Sequence, residues 1–306
     1  MTDIPVIPFE AGEARLDWLG LTEAMEAGHR LPKAEIADTF LYRDPDTLLN
    51  RAAWIDGLGL AVKSATVFPG NKGSDVSTVN GGVTLYHDKT GLLEAIVDFH
   101  LVTKWKTAGD SLLAARHLAR PDSQRILIVG AGTQARGLHA AYHALFPNAA
   151  FSVWNRTQTN AEALADEIPG LEVASDLETA VRAACIVTSA TMTTQPLLQG
   201  AWFQPGQHID LIGAYRPDMR EVDDAALQKA SVFVDSLETT VGHIGEFKIP
   251  IEMGQFNSDA IVADYYAPEH FKRTSPEEIT LFKNGGGAHL DLMTSRYILD
   301  RWRARA

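Results

Sequence analysis

Cysteine is nearly absent: the 306 residues contain one, Cys185. A disulfide framework or a multi-cysteine zinc module is therefore excluded. A lone thiol fits a reducing compartment. Basic residues are also scarce, 27 against 39 acidic ones, for a formal net charge of −12, and no Lys/Arg run occurs. That charge repels phosphate backbones and anionic lipid, so neither nucleic acid nor a membrane surface is expected as a partner. Long apolar runs are missing too. The longest segment free of Asp, Glu, Lys and Arg covers residues 183–209, and Thr, Gln, Pro and Gly break it, so it does not read as a membrane span. The start, Met1-Thr2-Asp3-Ile4-Pro5, lacks the basic and apolar regions of a signal peptide. The cytoplasm is the expected location. What is present is ordinary globular material: 45% hydrophobic and 22% charged residues, which excludes wholesale disorder. The length suggests two domains.

The first hundred residues read as β-rich, with apolar runs at 39–42, 57–68, 83–87 and 92–97. The turn Asp88-Lys89-Thr90-Gly91 joins the last two as a hairpin. Residues 101–118 carry apolar side chains at helical spacing, and 119–123 stop that helix. After Gln124 the pattern changes. Strands at 126–129, 151–154, 171–174, 185–189, 208–213 and 231–235 alternate with helices at 133–145, 161–168, 177–184 and 224–230. This alternation predicts an α/β fold, a Rossmann-type doubly wound parallel sheet with right-handed crossovers. An amphipathic helix over 290–302 ends the chain and is expected to return to the first domain.

The strongest local signal is Gly130-Ala131-Gly132-Thr133-Gln134-Ala135, a G-x-G-x-x-A run between a β-branched strand and a helix. Gly130 permits the tight turn, Gly132 lets backbone approach a pyrophosphate, and Ala135 lets helix and strand pack closely. The phosphates would sit on the helix N-terminus. The bland alternative is a tight turn that binds nothing. At the end of the second strand stands Asn155-Arg156-Thr157, where an NAD site has Asp or Glu. No carboxylate repels a 2′-phosphate, and Arg156 offers a planar fork of donors, which predicts NADP(H). The alternative is a solvated turn arginine with NAD(H) preference set elsewhere.

Four segments together resemble the ornithine cyclodeaminase/mu-crystallin family: Ala61-Val62-Lys63; Thr103-Lys104-Trp105-Lys106-Thr107-Ala108 with Leu118-Ala119-Arg120-Pro121; the glycine loop; and 212–223, which holds Gly213-Ala214-Tyr215-Arg216-Pro217-Asp218-Met219-Arg220-Glu221. The resemblance implies a homodimer. It implies a split α+β substrate-binding and dimerisation domain over 1–120 and 288–306, with an inserted Rossmann NADP(H)-binding domain over 121–287. It also implies hydride transfer between nicotinamide and the Cα–N bond of an amino acid. By the same resemblance Lys63 and Lys106 grip the substrate carboxylate, Thr107 and Ser111 lie near the cofactor phosphates, and Lys33 lies near another basic substrate position. Ser189, Ala190 and Gly213, at the ends of two later strands, complete the cofactor set. Cyclodeaminases carry a catalytic Asp where this chain has Tyr215 and a lysine where it has Met219. The Arg216-Pro217-Asp218 version resembles the imine-reducing branch. Asn80-Gly81-Gly82 and Lys106 with Asp110 resemble its bacterial Δ1-pyrroline-2-carboxylate reductases.

Reducing a cyclic imino acid needs a cation for the carboxylate, a hydride held near the imine carbon, and a proton on nitrogen. Lys63 and Lys106 supply the cations, and such positioning contributes several kcal/mol. Asp110, one helical turn beyond Lys106, stabilises the iminium or relays a proton. Asn80 and Tyr215 complete the substrate set. Each residue has a plainer alternative. Lys63 snorkels at a strand edge. Lys106–Asp110 is an exposed i,i+4 pair. Asn80 begins a turn with the two glycines, and Tyr215 caps a strand. His139 and His143 share a helix face with no third ligand evident, so no metal is expected. His289 or Asp291, beyond the 285–287 glycine run, line the site by the family resemblance. Cys185 reads as core packing. The expected reaction is NAD(P)H-dependent reduction of Δ1-pyrroline-2-carboxylate to L-proline, with Δ1-piperideine-2-carboxylate as a second substrate. The rivals are an ornithine cyclodeaminase or alanine dehydrogenase, and a non-catalytic NADPH-dependent binding protein like mu-crystallin.

Overall fold

The computed structural model describes residues 4–304. Residues 1–3, on which the signal-peptide reading partly rests, and residues 305–306 lie outside the described residues. The chain forms two compact units, one up to Lys106 and again from Gly287, the other Thr107–Gly286. The first crossing therefore falls inside a helix, α3 below, and not after it at 120/121. The physical reason is where that helix's second half bonds. The Thr107 carbonyl accepts from Asn284, the Asp110 carbonyl from Tyr265 and the Leu118 carbonyl from Arg273, all in the second unit.

In chain order the first unit begins with β1 (Val6–Ile7), α1 (Phe9–Glu13), α2 (Trp18–His29), β2 (Glu35–Arg43), β3 (Asp46–Ile55), β4 (Gly59–Val67), β5 (Val79–Tyr86) and β6 (Leu93–Asp98). α3 (Phe99–Leu118) follows and crosses into the second unit. Among the described residues these strands form one sheet in the order β1-β6-β5-β4-β3-β2, antiparallel except for the parallel β1–β6 pair. β4 alternates buried and half-buried residues, the period of a strand with one covered face. The hairpin turn at 88–91 closes with the Gly91 amide donating to the His87 carbonyl at 2.9 Å. α2 and β3 were not anticipated. β3 reads Asp-Thr-Leu-Leu-Asn-Arg-Ala-Ala-Trp-Ile, without alternation. The α2 signal was legible: Asp17 caps it by accepting from the Gly20 amide, and Trp18, Leu21 and Met25 share its buried face.

The second unit contains β7 (Arg125–Val129), α4 (Thr133–Leu145), β8 (Ala150–Trp154), α5 (Gln158–Glu167), β9 (Leu171–Val173), α6 (Leu177–Ala183), β10 (Ile186–Ser189), β11 (His208–Leu211), α7 (Asp224–Lys229), β12 (Ser231–Val234), α8 (Leu237–Thr240), α9 (Gly245–Glu252), β13 (Ile261–Ala263) and β14 (Thr280–Lys283). Among the described residues its sheet runs β13-β12-β14-β11-β10-β7-β8-β9, with all paired strands parallel. Its core includes Leu127, Val129, Val187, Ile209, Leu211, Val232 and Leu281. β13 and β14 were not anticipated; β14 is four residues long, yet it lies between β11 and β12. The glycine loop leaves the carboxyl end of β7, where the chain order of strands reverses, the ligand position of doubly wound sheets. The chain returns to the first unit through α10 (Ala288–Arg303), which packs on β3, β4, β5 and α2. Among the described residues no helix is long and apolar enough to cross a membrane.

Candidate active site

In the first unit β4 carries Lys63 inward at 7% exposure. Its ammonium donates to Asp291 Oδ1 of α10 at 2.9 Å and lies 4.7 Å from the centre of the Phe99 ring. The snorkelling alternative is thereby excluded. Burial pushes the Lys63 pKa down, Lys106 and Arg51 push it further, and Asp291 only partly opposes them. Burial alone would raise the Asp291 pKa, but Lys63, Lys106 and Arg51 hold it below the ordinary carboxylate value. His289 is fully buried, and burial together with Lys106 holds it at about 3, so its imidazole is neutral near pH 7. Arg51 and Lys33 also depress it. Lys63, Lys106 and Arg51 thus all act on one buried carboxylate, that of Asp291.

Arg51 is the residue that sequence reasoning missed. It sits on β3 directly opposite Lys63 in the antiparallel register and binds Asp38 through its guanidinium. A hairpin reading of 46–67 would have found it, but β3 offers no alternation. Lys106 and Asp110 are both buried, at 7% and 0% exposure, so they are not an exposed helical ion pair. Asn80, Gly81 and Gly82 lie within β5 and form no turn. A Cβ on Gly81 would stand 2.0 Å from the Ser64 carbonyl oxygen, so close strand contact demands glycine there. The Asn80 side-chain Nδ2 donates to the Ser77 carbonyl at 2.7 Å.

In the second unit Gly130 has φ +105°, and a Cβ on it would lie 2.9 Å from the Ala190 carbonyl oxygen. Gly132 caps α4, and a Cβ there would meet nothing within 4 Å, so the space over the helix N-terminus is open. Ala135 is buried, as close helix–strand packing requires. Thr133 is exposed and Gln134 half-buried. Asn155 Oδ1 accepts from the Ala131 amide at 3.1 Å, so this side chain shapes the glycine loop. Arg156 and Thr157 are exposed at the end of β8.

Other expected cofactor positions are engaged by the protein itself. The Ser111 hydroxyl donates to Asp210 and accepts from Asn284. The Ser189 hydroxyl donates to Glu221 Oε1 at 2.6 Å, the Gly213 amide to Glu221 Oε2 at 2.6 Å, and the Ala190 amide to the Val129 carbonyl at 2.9 Å. Tyr215 is 58% exposed with the Arg216 guanidinium over its ring, while Met219 is buried against Ala214 and Ile244. Cys185 is half-buried and precedes β10. His139 and His143 lie against Phe151 on α4.

Relatives share this architecture. The Delta(1)-pyrroline-2-carboxylate reductase of Paracoccus denitrificans is 49% identical over 292 residues, 93% of this chain and 92% of the relative. The ketimine reductase mu-crystallin of Mus musculus is 33% identical, across 79% and 76% of the two chains. The solved structure of Thermococcus litoralis Delta(1)-pyrroline-2-carboxylate reductase with NADH and L-proline superposes with a TM-score of 0.88 at 25% identity, covering 98% of each chain. An archaeal alanine dehydrogenase dimer with bound NAD superposes at 0.89, also at 25% identity, over 99% of this chain and 97% of the other. The model of the ornithine cyclodeaminase/mu-crystallin family matches residues 55–306, and this chain belongs to that family.

Proposed function

We propose that this chain reduces a cyclic ketimine with NAD(P)H, taking Δ1-pyrroline-2-carboxylate to L-proline. The observation that carries the reading is the buried Lys63–Asp291 pair, with Lys106 and Arg51 close enough to act on both groups. These cations attract a substrate carboxylate, and the grip orients the adjacent C=N bond. Hydride passes from the nicotinamide to the imine carbon while the ring nitrogen takes a proton. Asp110, fully buried one turn past Lys106, is the proposed proton relay. His289 is neutral at pH 7, so it offers no imidazolium as the acid. Asn80 and Tyr215 complete the substrate set. The 49% identity to the Paracoccus denitrificans reductase supports the same reaction. Tyr215 and buried Met219 stand where a cyclodeaminase needs Asp and Lys, which speaks against that rival.

The dinucleotide binds at the glycine loop, with Thr107, Ser111, Gly130, Gly132, Thr133, Gln134, Ala135, Asn155, Arg156, Thr157, Ser189, Ala190 and Gly213 forming or shaping its site. Exposed Arg156, with no carboxylate beside it, favours NADPH over NADH. The protein acts as a cytoplasmic homodimer. β2 supports the dimer: its residues Phe40, Leu41 and Tyr42 are 46%, 59% and 75% exposed, an apolar patch that a second copy would cover.

The deciding assay is the loss of NADPH absorbance with Δ1-pyrroline-2-carboxylate, run on the wild type and on Lys63→Ala. Rapid oxidation abolished by the substitution is expected. Inertness toward the imine, with NAD+ reduced by ornithine or alanine, would overturn the reading.

A further inference from the structure

We infer that Glu221 is the positioning residue that holds the nucleotide site together, an inference that rests on the reading of this chain as a nicotinamide-dependent reductase. Glu221 is fully buried, and its carboxylate accepts five hydrogen bonds. Oε1 takes the Ser189 hydroxyl at 2.6 Å and both the amide and the hydroxyl of Thr191 at 2.9 Å. Oε2 takes the amides of Gly213 and Ala214 at 2.6 and 3.1 Å. A carboxylate offers about four lone-pair sites, so its acceptor capacity is fully used. The donors belong to two different crossings, one leaving the carboxyl end of β10 and one following β11.

Those segments form the wall of the glycine turn. A Cβ on Gly130 would meet the Ala190 carbonyl at 2.9 Å and the Thr191 side chain at 3.3 Å, and one on Gly213 would stand 2.1 Å from the Thr191 carbonyl oxygen. Glu221 therefore ties the carboxyl ends of β10 and β11 to each other, and Ala190–Thr191 transmits their position to the turn after β7. Doubly wound sheets bind their ligands at this edge. Glu221 is itself anchored: its amide and that of Val222 donate to the carboxylate of Glu246, at 2.8 and 3.1 Å. A second buried carboxylate thus fixes the backbone that presents the first.

Glu221→Gln tests the idea. The carboxamide keeps the shape but turns an NH2 toward at least two donors. Direct titration with NADPH, read by its fluorescence without imine, should show Kd raised at least about tenfold, from the roughly 1.4 kcal/mol that an unmade buried hydrogen bond costs. The imine KM, measured at saturating NADPH, should stay within about twofold because the acceptor loss lies on the nucleotide side. Thr191→Val, which deletes one donor and keeps the fold, should raise Kd by a smaller factor. A folded Glu221→Gln with wild-type NADPH affinity would overturn the inference, as would wild-type affinity in Thr191→Val if Glu221→Gln does not fold. Wild-type protein that binds dinucleotide but leaves the imine untouched would overturn only the substrate reading. Wild-type protein that binds neither NADPH nor NADH would overturn both.

Discussion

Lys63 and Asp291 meet in a buried ion pair at 2.9 Å, although 228 residues separate them in sequence. Their side chains are 8% and 2% exposed, so the pair is shielded from water and salt. Removing one partner of such a pair costs about 3–5 kcal/mol, whereas replacing both by apolar groups is often neutral. Asp291→Asn should therefore lower the melting temperature markedly, and Lys63→Met with Asp291→Leu should recover it. Turnover of the double variant should stay at least about a hundredfold down, because the Lys63 half of the carboxylate grip is lost. Recovery of turnover in the double variant would remove Lys63 from the reaction.

The two glycines of the nucleotide loop should fail differently. Gly130 has φ +105° and a crowded Cβ position, so Gly130→Ala should cost about 1–3 kcal/mol of stability along with binding. Gly132 has an ordinary φ of −83° and open space, so Gly132→Ala should lose at most about 1 kcal/mol. It should still weaken dinucleotide binding, since the methyl group occupies the approach to the helix N-terminus. Thermal melts beside NADPH titrations of the two variants check the contrast.

Arg156 should set the cofactor ratio. Arg156→Ala should raise the KM for NADPH about tenfold or more, the size of one charge-assisted contact, and leave that for NADH nearly unchanged. Equal effects on both cofactors would assign the 2′-phosphate elsewhere.

His289 should make the fold sensitive to acid. Its pKa falls from 6.5 in the unfolded chain to about 3 when buried. Below 6.5 the unfolded state therefore binds a proton that the native state refuses. The stability that neutral His289 contributes is fully present above 6.5 and is lost as pH falls toward 3. Asp291, with its pKa lowered, acts in the same direction. His289→Gln should flatten the acid side of a plot of melting temperature against pH; an unchanged slope would show that His289 titrates normally.

The apolar patch on β2 should control assembly. Phe40→Glu with Tyr42→Glu should halve the mass measured by light scattering, because two charges would have to enter the covered face. An unchanged dimer would move the contact away from β2.

Local chemistry determined much of this protein. The strand β7, the glycine turn and α4 are contiguous, and their periodicity and glycine placement stand in the sequence. The same holds for the alternation of β8 to β12 with helices. The 88–91 hairpin was legible for the same reason, as was the oddity of a lysine in the apolar run around Lys63. Tertiary structure decided the rest. β14 has four residues and no helix-strand rhythm of its own, and it becomes a strand because β11 and β12 leave a slot for it. Arg51 joins Lys63 only through strand register, and Asp291 joins it only when α10 returns across the sheet. Glu221 looks like one acid in a charged motif until two distant crossings bring it five donors. Sequence records interactions between near neighbours; burial, register and the return of the chain create the others, and the charges about Lys63 belong to that second class.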